Sequence, residues 1–381
     1  MKRSFLVGLV VLALALASVS AAAEDTIKLG LVGPMTGPLA PYGEGVRDGA
    51  TLAVEQANAQ GGVLGKKIEL IVLDNQADGT QTANAVTRLI QRDKIVGLIG
   101  PVISATTSVA APIMQRYGIP MITPTATAVD ITLVGDFVFR VCFIDSYQGM
   151  AAVNYVHKKG IKKAAVLYKV GDAYSEGLRD VFVDAFTRLG GQVIGLGYNL
   201  GDTDFSAQLS RMKSFGAEAV YCPFYYEDAV LVTRQAKAMD FHPLFVGTDG
   251  WDAQELLDQA GDAALGAVMT THYSPTDSRP IVQQYLKDFQ ERFGHFPIVL
   301  AALGYDATRL MIDAIARAGS TDPKAIRDAI AATEGFEGVT GSSISLDENR
   351  NPIKDVTIIQ VVEKDGKLAF EFVDALIPEI Y

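Results

Sequence analysis

Hydroxyl side chains are concentrated in one short segment of the chain, ITPTATA (122–128), which follows the apolar stretch GIPM. Its three threonines are Thr123, Thr125 and Thr127, and the first charged residue after them is Asp130. Hydroxyls and backbone N–H groups at the end of a parallel strand can hold an anion by hydrogen bonds. Nucleophilic catalysis instead needs a base beside the hydroxyl, and the segment contains no His or acid. The pattern therefore predicts an anion-binding segment.

Two other segments in the first half place polar or aromatic residues after predicted strands. GPMTGPLAPYGEG (33–45) contains Tyr42 at a predicted helix start, and GPVISATT (100–107) contains Ser104 at a predicted helix cap. Each of these residues alone is explained as a cap, a turn former or a packed ring. Open α/β sheets bind ligands at the shared carboxyl edge of their strands. We therefore favour one binding site formed by all three segments.

Three strand ends in the second half carry aromatic rings and one acid, namely Tyr174, Tyr225 and Asp249. The alternative explanation for the tyrosines is packing with a solvated hydroxyl. The alternative for Asp249 is a turn residue before Gly250. Rings together with one carboxylate suit an apolar ligand that carries a positive group.

The sequence contains no recognisable catalytic or metal-binding motif. Its 4 histidines lack metal-ligand spacing, and there is no G-x-S-x-G turn for a nucleophilic serine. GGVLGKK (61–67) is not a phosphate loop, because its Gly-to-Gly gap is short and no Ser or Thr follows the lysine. A hydrolase with Asp249 as its base lacks a nucleophile and an oriented partner. We therefore expect neither catalysis nor a cofactor or metal.

Apolar stretches of strand length alternate with helical patterns along most of the chain. This alternation predicts parallel sheets covered by helices on both faces, with enough units for two sheets. After residue 280 the pattern changes to helices, one capped by Asp322 before Pro323, and then to a hairpin with the turn Asp365–Gly366. The predicted strands are 27–32, 68–73, 96–99, 119–122, 164–168, 192–198, 219–222, 244–246, 356–362 and 368–373, and the predicted helices are 42–60, 80–90, 105–116, 175–189, 280–292 and 300–318.

Composition and the first residues indicate an exported globular protein. A length of 381 residues predicts about two domains, and a net charge of −11 argues against nucleic acid as a partner. Lys2 and Arg3 precede a short apolar run that ends at Ala21–Ala23, which is typical of a cleaved signal peptide at 1–23. The alternative, a membrane anchor, needs about 20 apolar residues. The mature chain is expected to begin at Glu24.

Two cysteines remain in the exported chain, Cys142 and Cys222. They could form one disulfide, since export leads to an oxidising compartment. Both lie in apolar strand-like runs, so we favour the alternative of two buried thiols.

The combined motifs resemble the leucine/isoleucine/valine-binding family, the periplasmic solute receptors of branched-chain amino acid ABC importers. The resemblance spans nearly the whole mature chain and is carried by GLVGPMTGPLAPYGEG, NAQGGVLGKKIEL, ITPTATA, DAYSEGLRD, DFSAQL and ALGYDA. It implies a type I periplasmic binding fold, with two doubly wound lobes, parallel central sheets and a hinge of three strands. The implied first lobe comprises 24–145 and 273–346, and the second comprises 146–272 and 347–381. The disulfide of well-known relatives has no counterpart here.

The resemblance also implies a set of ligand-binding residues. Ser104 and Thr127 are expected to hold the ligand carboxylate, and Asp249 to pair with its amino group. Thr125 is expected to offer its backbone carbonyl to that amino group. The complete set is Tyr42, Val102, Ile103, Ser104, Thr125, Ala126, Thr127, Tyr174, Tyr225 and Asp249.

The expected function is a periplasmic receptor that captures an α-amino acid, aliphatic or branched-chain, and delivers it to a membrane ABC permease. The family implies a monomer that closes around its ligand. An amide, a urea-like compound or an aromatic acid is the alternative ligand. The sequence leaves open which amino acid binds, how tightly it binds and which permease receives it.

Overall fold

A computed structural model describes residues 26–376. The predicted signal peptide, residues 1–23, and the predicted start at Glu24 lie outside this range. The described chain is an α/β protein with two main sheets and a small two-stranded sheet, as the sequence predicts. Within 26–376, no helix combines the length and apolar character that a membrane crossing requires.

The first sheet is entirely parallel and has the strand order β2-β1-β3-β4-β5. The order reverses between β1 and β3, which creates a crevice at the carboxyl ends of these strands. A π-helical turn, Leu89–Asp93, extends the second helix. The elements are β1 (Ile27–Gly33), α1 (Ala40–Ala59), β2 (Ile68–Asp74), α2 (Gly79–Arg88), β3 (Gly97–Ile99), α3 (Ser104–Tyr117), β4 (Met121–Thr123), α4 (Asp130–Leu133) and β5 (Val138–Arg140).

The second sheet repeats this arrangement, with the parallel order β7-β6-β8-β9-β10. Its reversal lies between β6 and β8, the strands that correspond to β1 and β3. The elements are α5 (Asp145–Lys158), β6 (Lys163–Lys169), α6 (Ala173–Arg188), β7 (Gln192–Tyr198), α7 (Ser206–Phe215), β8 (Ala219–Tyr221), α8 (Tyr226–Ala238), β9 (Leu244–Gly247), α9 (Gln254–Ala260) and β10 (Val268–Thr271). Short 3₁₀ turns, Asp249–Trp251 and Gly261–Ala264, flank α9.

The C-terminal part of the chain contributes to both lobes. Helices α10 (Pro280–Phe293) and α11 (Val299–Ala318) pack against α1 of the first lobe, and α12 (Pro323–Ala331) packs on α11. The small sheet pairs β11 (Phe336–Gly338) with β12 (Gly341–Ile344). The antiparallel hairpin of β13 (Val356–Lys364) and β14 (Lys367–Leu376) then extends the second sheet beside β10.

Three segments connect the elements of the first sheet with those of the second, namely 141–144, 272–279 and 345–355. Within the described residues they contain no regular strand, although one isolated bridge joins Leu346 and Pro352. The predicted boundary residues 273 and 347 fall inside two of these segments, and Asp145 begins α5. The lobe boundaries themselves stay a prediction.

Glycines allow α1 and α11 to pack in close contact. A Cβ atom at Gly49 would lie 1.8 Å from the Ala301 carbonyl oxygen, and one at Gly304 would lie 2.5 Å from that of Val46. A side chain at either position would therefore push the helices apart. Their amino-terminal ends stay side by side, which places Tyr42 and Leu300 at the same edge of the first lobe.

Most predicted elements are confirmed within a few residues at their ends. The Asp322 carboxylate accepts the Ala325 N–H at 2.9 Å, as a cap should, and the hairpin turns at Asp365–Gly366 with positive φ at both residues. The predicted cap at Ser104 is wrong, because α3 already begins at Ser104 and its cap position is Ile103. Cys142 and Cys222 are both free and buried, which confirms the preference for thiols.

Candidate functional site

A small cavity lies between the lobes, at the carboxyl ends of strands from both sheets. Eight of the predicted site residues line it, together with two that the sequence did not indicate. The lining residues are Tyr42, Val102, Ile103, Ser104, Thr125, Tyr174, Tyr225, Asp249, Gly250 and Leu300.

The cavity residues occupy corresponding places in the two lobes. Tyr42 lies on the helix after β1, while Tyr174 lies on the helix after β6. Segments after β3 and β4 face segments after β8 and β9. Both crevices thus open onto the same space, which is the position where doubly wound sheets bind ligands.

Hydroxyl groups tie the two polar segments of the first lobe together. The Thr125 hydroxyl donates to the Val102 carbonyl at 2.6 Å, and the Thr123 hydroxyl donates to the Pro101 carbonyl at 2.7 Å. Both bonds are buried. The hydroxyl of Thr125 is therefore used within the protein, which leaves its backbone for a ligand.

Ser104 presents a hydroxyl to the cavity at the first turn of α3. Its Oγ accepts the Ala128 N–H over a long 3.4 Å contact, so the hydroxyl retains the capacity to donate to an anion. The first N–H groups of α3 lie at the same place, and the helix dipole favours negative charge there. This end of the cavity is suited to a carboxylate.

Ala126 and Thr127 are buried but do not line the cavity. The Thr127 hydroxyl approaches the Asp145 carboxyl, and within the described residues it has no hydrogen bond of good geometry. The Thr127 carbonyl accepts the Asp145 N–H at 3.0 Å. Any part that Thr127 plays in binding stays a prediction.

Arg140 holds the loop that contains Ala126 and Thr127 through hydrogen bonds to the loop backbone. Its guanidinium is fully buried and donates to the carbonyls of Ala126 at 3.0 Å, Ala128 at 2.8 Å and Val129 at 3.3 Å. Burial lowers the pKa of Arg140 from its usual value, but the guanidinium remains charged because arginine titrates so high. A positive charge therefore lies behind the segment predicted to bind an anion.

Asp249 is the acid that lines the cavity from the second lobe, and both of its carboxylate oxygens are held. The Tyr174 hydroxyl donates to Oδ1 at 2.6 Å, and His272 Nε2 lies 3.1 Å from Oδ2. The Asp249 N–H donates to Oε1 of Gln148 at 2.8 Å. The Tyr174 ring stacks on Tyr225 at 5.3 Å between centroids. Burial raises the pKa of Tyr174 well above its usual value, so the phenol remains a donor.

A second buried acid, Asp145, lies near Asp249. Burial raises the pKa of the Asp145 carboxyl to about 8, and the nearby charge of Asp249 acts in the same direction. Both effects favour the neutral acid at Asp145, so this carboxyl adds less negative charge beside Asp249 than an ordinary aspartate would.

Hydrogen bonds join the lobes across the cavity. The Tyr42 hydroxyl donates to the Gly250 carbonyl and accepts the Tyr226 N–H at 3.3 Å. The Tyr226 hydroxyl donates to the Pro38 carbonyl at 2.7 Å. Since Pro38 and Tyr42 belong to the first lobe and the others to the second, the cleft has the geometry of a closed state.

Comparison with known proteins identifies the family. A model of the periplasmic binding protein family matches residues 26–367. The chain belongs to this family. The resemblance predicted from the motifs is therefore confirmed.

This periplasmic binding protein is similar to relatives named for branched-chain amino acids. The leucine-, isoleucine-, valine-, threonine-, and alanine-binding protein of Pseudomonas aeruginosa is 34% identical over 331 residues, which are 86% of this chain and 87% of that protein. The leucine binding protein LivK of Thermotoga maritima has a TM-score of 0.87 and 38% identity, covering 93% of this chain and 99% of that chain. The transporter substrate binding protein LivJ of Streptococcus pneumoniae, solved with isoleucine, has a TM-score of 0.84 and 32% identity, covering 92% and 99%.

Four residues of the binding protein's site were missed by sequence reasoning. Gly250 directly follows the predicted Asp249, and this position in the sequence was a usable signal. In the structure a Cβ at Gly250 would lie 3.0 Å from the Tyr225 ring. Arg140 was detectable as a single charge within the apolar run FVFRVCF. Leu300 and His272 carried no such signal, because their distance in sequence hides their approach to the cavity.

Proposed function

We propose that this periplasmic binding protein is an exported receptor that captures an aliphatic α-amino acid between its lobes and delivers it to a membrane ABC permease. The observation that carries the proposal is the opposite chemistry of the two cavity walls. Ser104 and the start of α3 lie on one wall, and the Asp249 carboxylate lies on the other. An α-amino acid has an anionic and a cationic group on one carbon, which matches this arrangement.

The carboxylate of the ligand is proposed to lie at the first-lobe wall. Hydrogen bonds from the Ser104 hydroxyl and from backbone N–H groups would replace its water shell. The buried Arg140 adds a positive charge behind this wall. The family resemblance, which implies that Ser104 and Thr127 hold the carboxylate, supports the same orientation.

The ammonium group of the ligand is proposed to pair with Asp249. Tyr174 and His272 each contact one carboxylate oxygen, and each oxygen keeps a second lone pair for the ligand. A charged group leaving water requires a partner of opposite charge, since an unpaired buried charge is strongly unfavourable. Asp249 supplies that partner.

The side chain of the ligand is proposed to be aliphatic. Val102, Ile103 and Leu300 line the cavity together with the rings of Tyr42 and Tyr225. Burying an apolar side chain against such a wall contributes about 25 cal/mol for each Å² removed from water. The names of the relatives, which refer to leucine, isoleucine and valine, support the same ligand class.

Transport is proposed to proceed without catalysis. Hinge closure of two lobes around a ligand is the motion of periplasmic binding proteins, and closure would present both lobes to the permease. We infer a first lobe of 24–145 and 273–346 and a second of 146–272 and 347–381. The protein is proposed to act as a monomer in the periplasm after loss of residues 1–23. Intact-mass measurement of the exported protein tests the cleavage, and a mass that retains Lys2 and Arg3 would contradict it.

A thermal-shift screen of unfolded and refolded protein tests the ligand class, because refolding removes any copurified ligand. The screen would contain the common amino acids, amides, urea-like compounds and aromatic acids. Binding stabilises the folded state by about 2.7 kcal/mol when the ligand is at 100 times its Kd. We expect leucine, isoleucine or valine to raise the melting temperature most. A response confined to amine-free compounds would overturn the proposal.

A further inference from the structure

His272 lies outside the cavity walls but directly contacts the acid of the site. It follows β10 in the connecting segment 272–279, and its side chain is fully buried. Its Nε2 lies 3.1 Å from Oδ2 of Asp249. Because a carboxylate oxygen accepts and does not donate, the imidazole hydrogen lies on Nε2.

The ring of His272 is held in place by a residue of another connecting segment. It stacks on Phe143, with 3.7 Å between the ring centroids and an angle of 19° between the planes. Phe143 is fully buried in segment 141–144. The stack therefore joins two of the three connections between the lobes, and it orients Nε2 toward Asp249.

The other nitrogen of the ring shows which charge state fits this pocket. Among the described residues, His272 Nδ1 is buried and has no hydrogen-bond partner. A second proton on Nδ1 would be a buried charge without an acceptor, which is unfavourable. Burial lowers the pKa of His272 to about 4, against the opposing effect of Asp249. The imidazole is therefore a neutral donor at neutral pH.

A neutral donor and a cationic donor would have opposite consequences for a ligand. A cation at this position would cancel the charge of Asp249 and repel an ammonium group. Neutral His272 and Tyr174 instead occupy one lone pair on each oxygen and leave the negative charge for the ligand. They also fix the plane of a carboxylate that would otherwise rotate.

We propose that His272 is a positioning residue that holds Asp249 for an ammonium group and thereby sets the preference of the cleft for amine-bearing over amine-free ligands. The inference rests on the proposed amino acid function. It assigns to the hinge a direct part in ligand specificity.

Two amide variants distinguish positioning from general structural support. In His272→Gln the amide nitrogen can reach the place of Nε2, whereas in His272→Asn it can reach only the place of Nδ1. The affinities for leucine and for 4-methylpentanoate, the same skeleton without the amine, are measured by calorimetry. We expect His272→Gln to keep most of the affinity ratio and His272→Asn to lower it by about tenfold or more, the effect of one hydrogen bond to a charged group.

The outcomes separate this inference from the proposed function. The positioning role is wrong if wild type prefers leucine and His272→Asn keeps the full ratio of the two affinities. Equal weakening of both ligands is one form of that outcome. If wild type does not prefer leucine, the proposed function fails and this inference fails with it.

A spectroscopic measurement covers the case in which His272→Asn does not fold. Long-range ¹H–¹⁵N spectra of wild type at pH 7 report the tautomer of each of the 4 histidines, and His272→Gln identifies the signals of His272. We expect a neutral ring with its hydrogen on Nε2. A charged ring, or a hydrogen on Nδ1, would overturn the inference.

Discussion

The parallel strands of the two main sheets follow corresponding orders, and the segments after corresponding strands face each other across one cavity. In the first lobe, the segments after β3 and β4 carry Ser104 and Thr125, which have neutral hydroxyls. In the second lobe, the segments after β8 and β9 carry Tyr225 and Asp249. The repeated topology places the residues, while their identities decide which end of a ligand each lobe binds.

The two cavity walls also differ in the sign of their buried charge. Behind the first wall the cationic Arg140 donates to backbone carbonyls. In the second wall Asp249 has neutral donors at both oxygens. Each wall can therefore compensate one charge of a zwitterion. Substitutions in the two walls should then have different signatures when a ligand with an amine is compared with the same ligand without it.

The largest effect is expected for Asp249→Asn. The substitution leaves the ammonium group of leucine without a counter-ion in the cleft, and loss of one partner of a buried charge pair costs about 2–5 kcal/mol. Leucine affinity should fall by about thirtyfold or more, while the affinity for 4-methylpentanoate should not fall. Calorimetry with both ligands measures this. An equal loss for both would show that Asp249 does not bind the amine.

A smaller effect is expected for Ser104→Ala, because it removes one hydrogen bond to the carboxylate. Such a bond to a charged group is worth about 1.5–3 kcal/mol. Both leucine and 4-methylpentanoate carry the carboxylate, so both affinities should fall by a similar factor.

Thr127→Val tests the second residue that the family resemblance assigns to the carboxylate, whose hydroxyl does not line the cavity. Its effect on either affinity should be weaker than that of Ser104→Ala. If Thr127→Val costs more than Ser104→Ala, the carboxylate lies deeper in the loop than we infer.

The smallest effect is expected for Tyr42→Phe, which removes a neutral hydroxyl that joins the lobes through Gly250 and Tyr226. A neutral hydrogen bond contributes about 0.5–1.5 kcal/mol, so leucine should bind up to about tenfold more weakly. The affinity for 4-methylpentanoate should be unchanged if that ligand leaves the cleft open. Equal weakening of both would show that the amine is not needed for closure.

The sequence predicted the parts of the site that depend on local order along the chain. Tyr42, Ser104, Thr125 and Asp249 each follow a strand at short range, and alternation of strands and helices is visible without a structure. The predicted cap at Ser104 was displaced by one residue, which is the usual uncertainty of a helix end.

The missed residues depend on contacts between distant segments. Leu300 reaches the cavity because Gly49 and Gly304 let α11 pack against α1, and this pairing has no signature in either helix alone. His272 meets Asp249 and Phe143 where the chain passes between the lobes. A single histidine in the run TTHYS carries no metal or catalytic spacing, so its partner could not be inferred from sequence.

The most direct test of the account is whether both charged ends of the ligand are needed to close the lobes. A ligand shifts a two-state equilibrium only by its different affinity for the two states. Small-angle scattering would compare the protein with leucine and with 4-methylpentanoate, each well above its own Kd. We predict a smaller radius of gyration with leucine alone, because only leucine pairs Asp249 on closure. Equal compaction and equally tight binding with the amine-free acid would contradict the assignment of Asp249 and, with it, the proposal of an amino acid receptor.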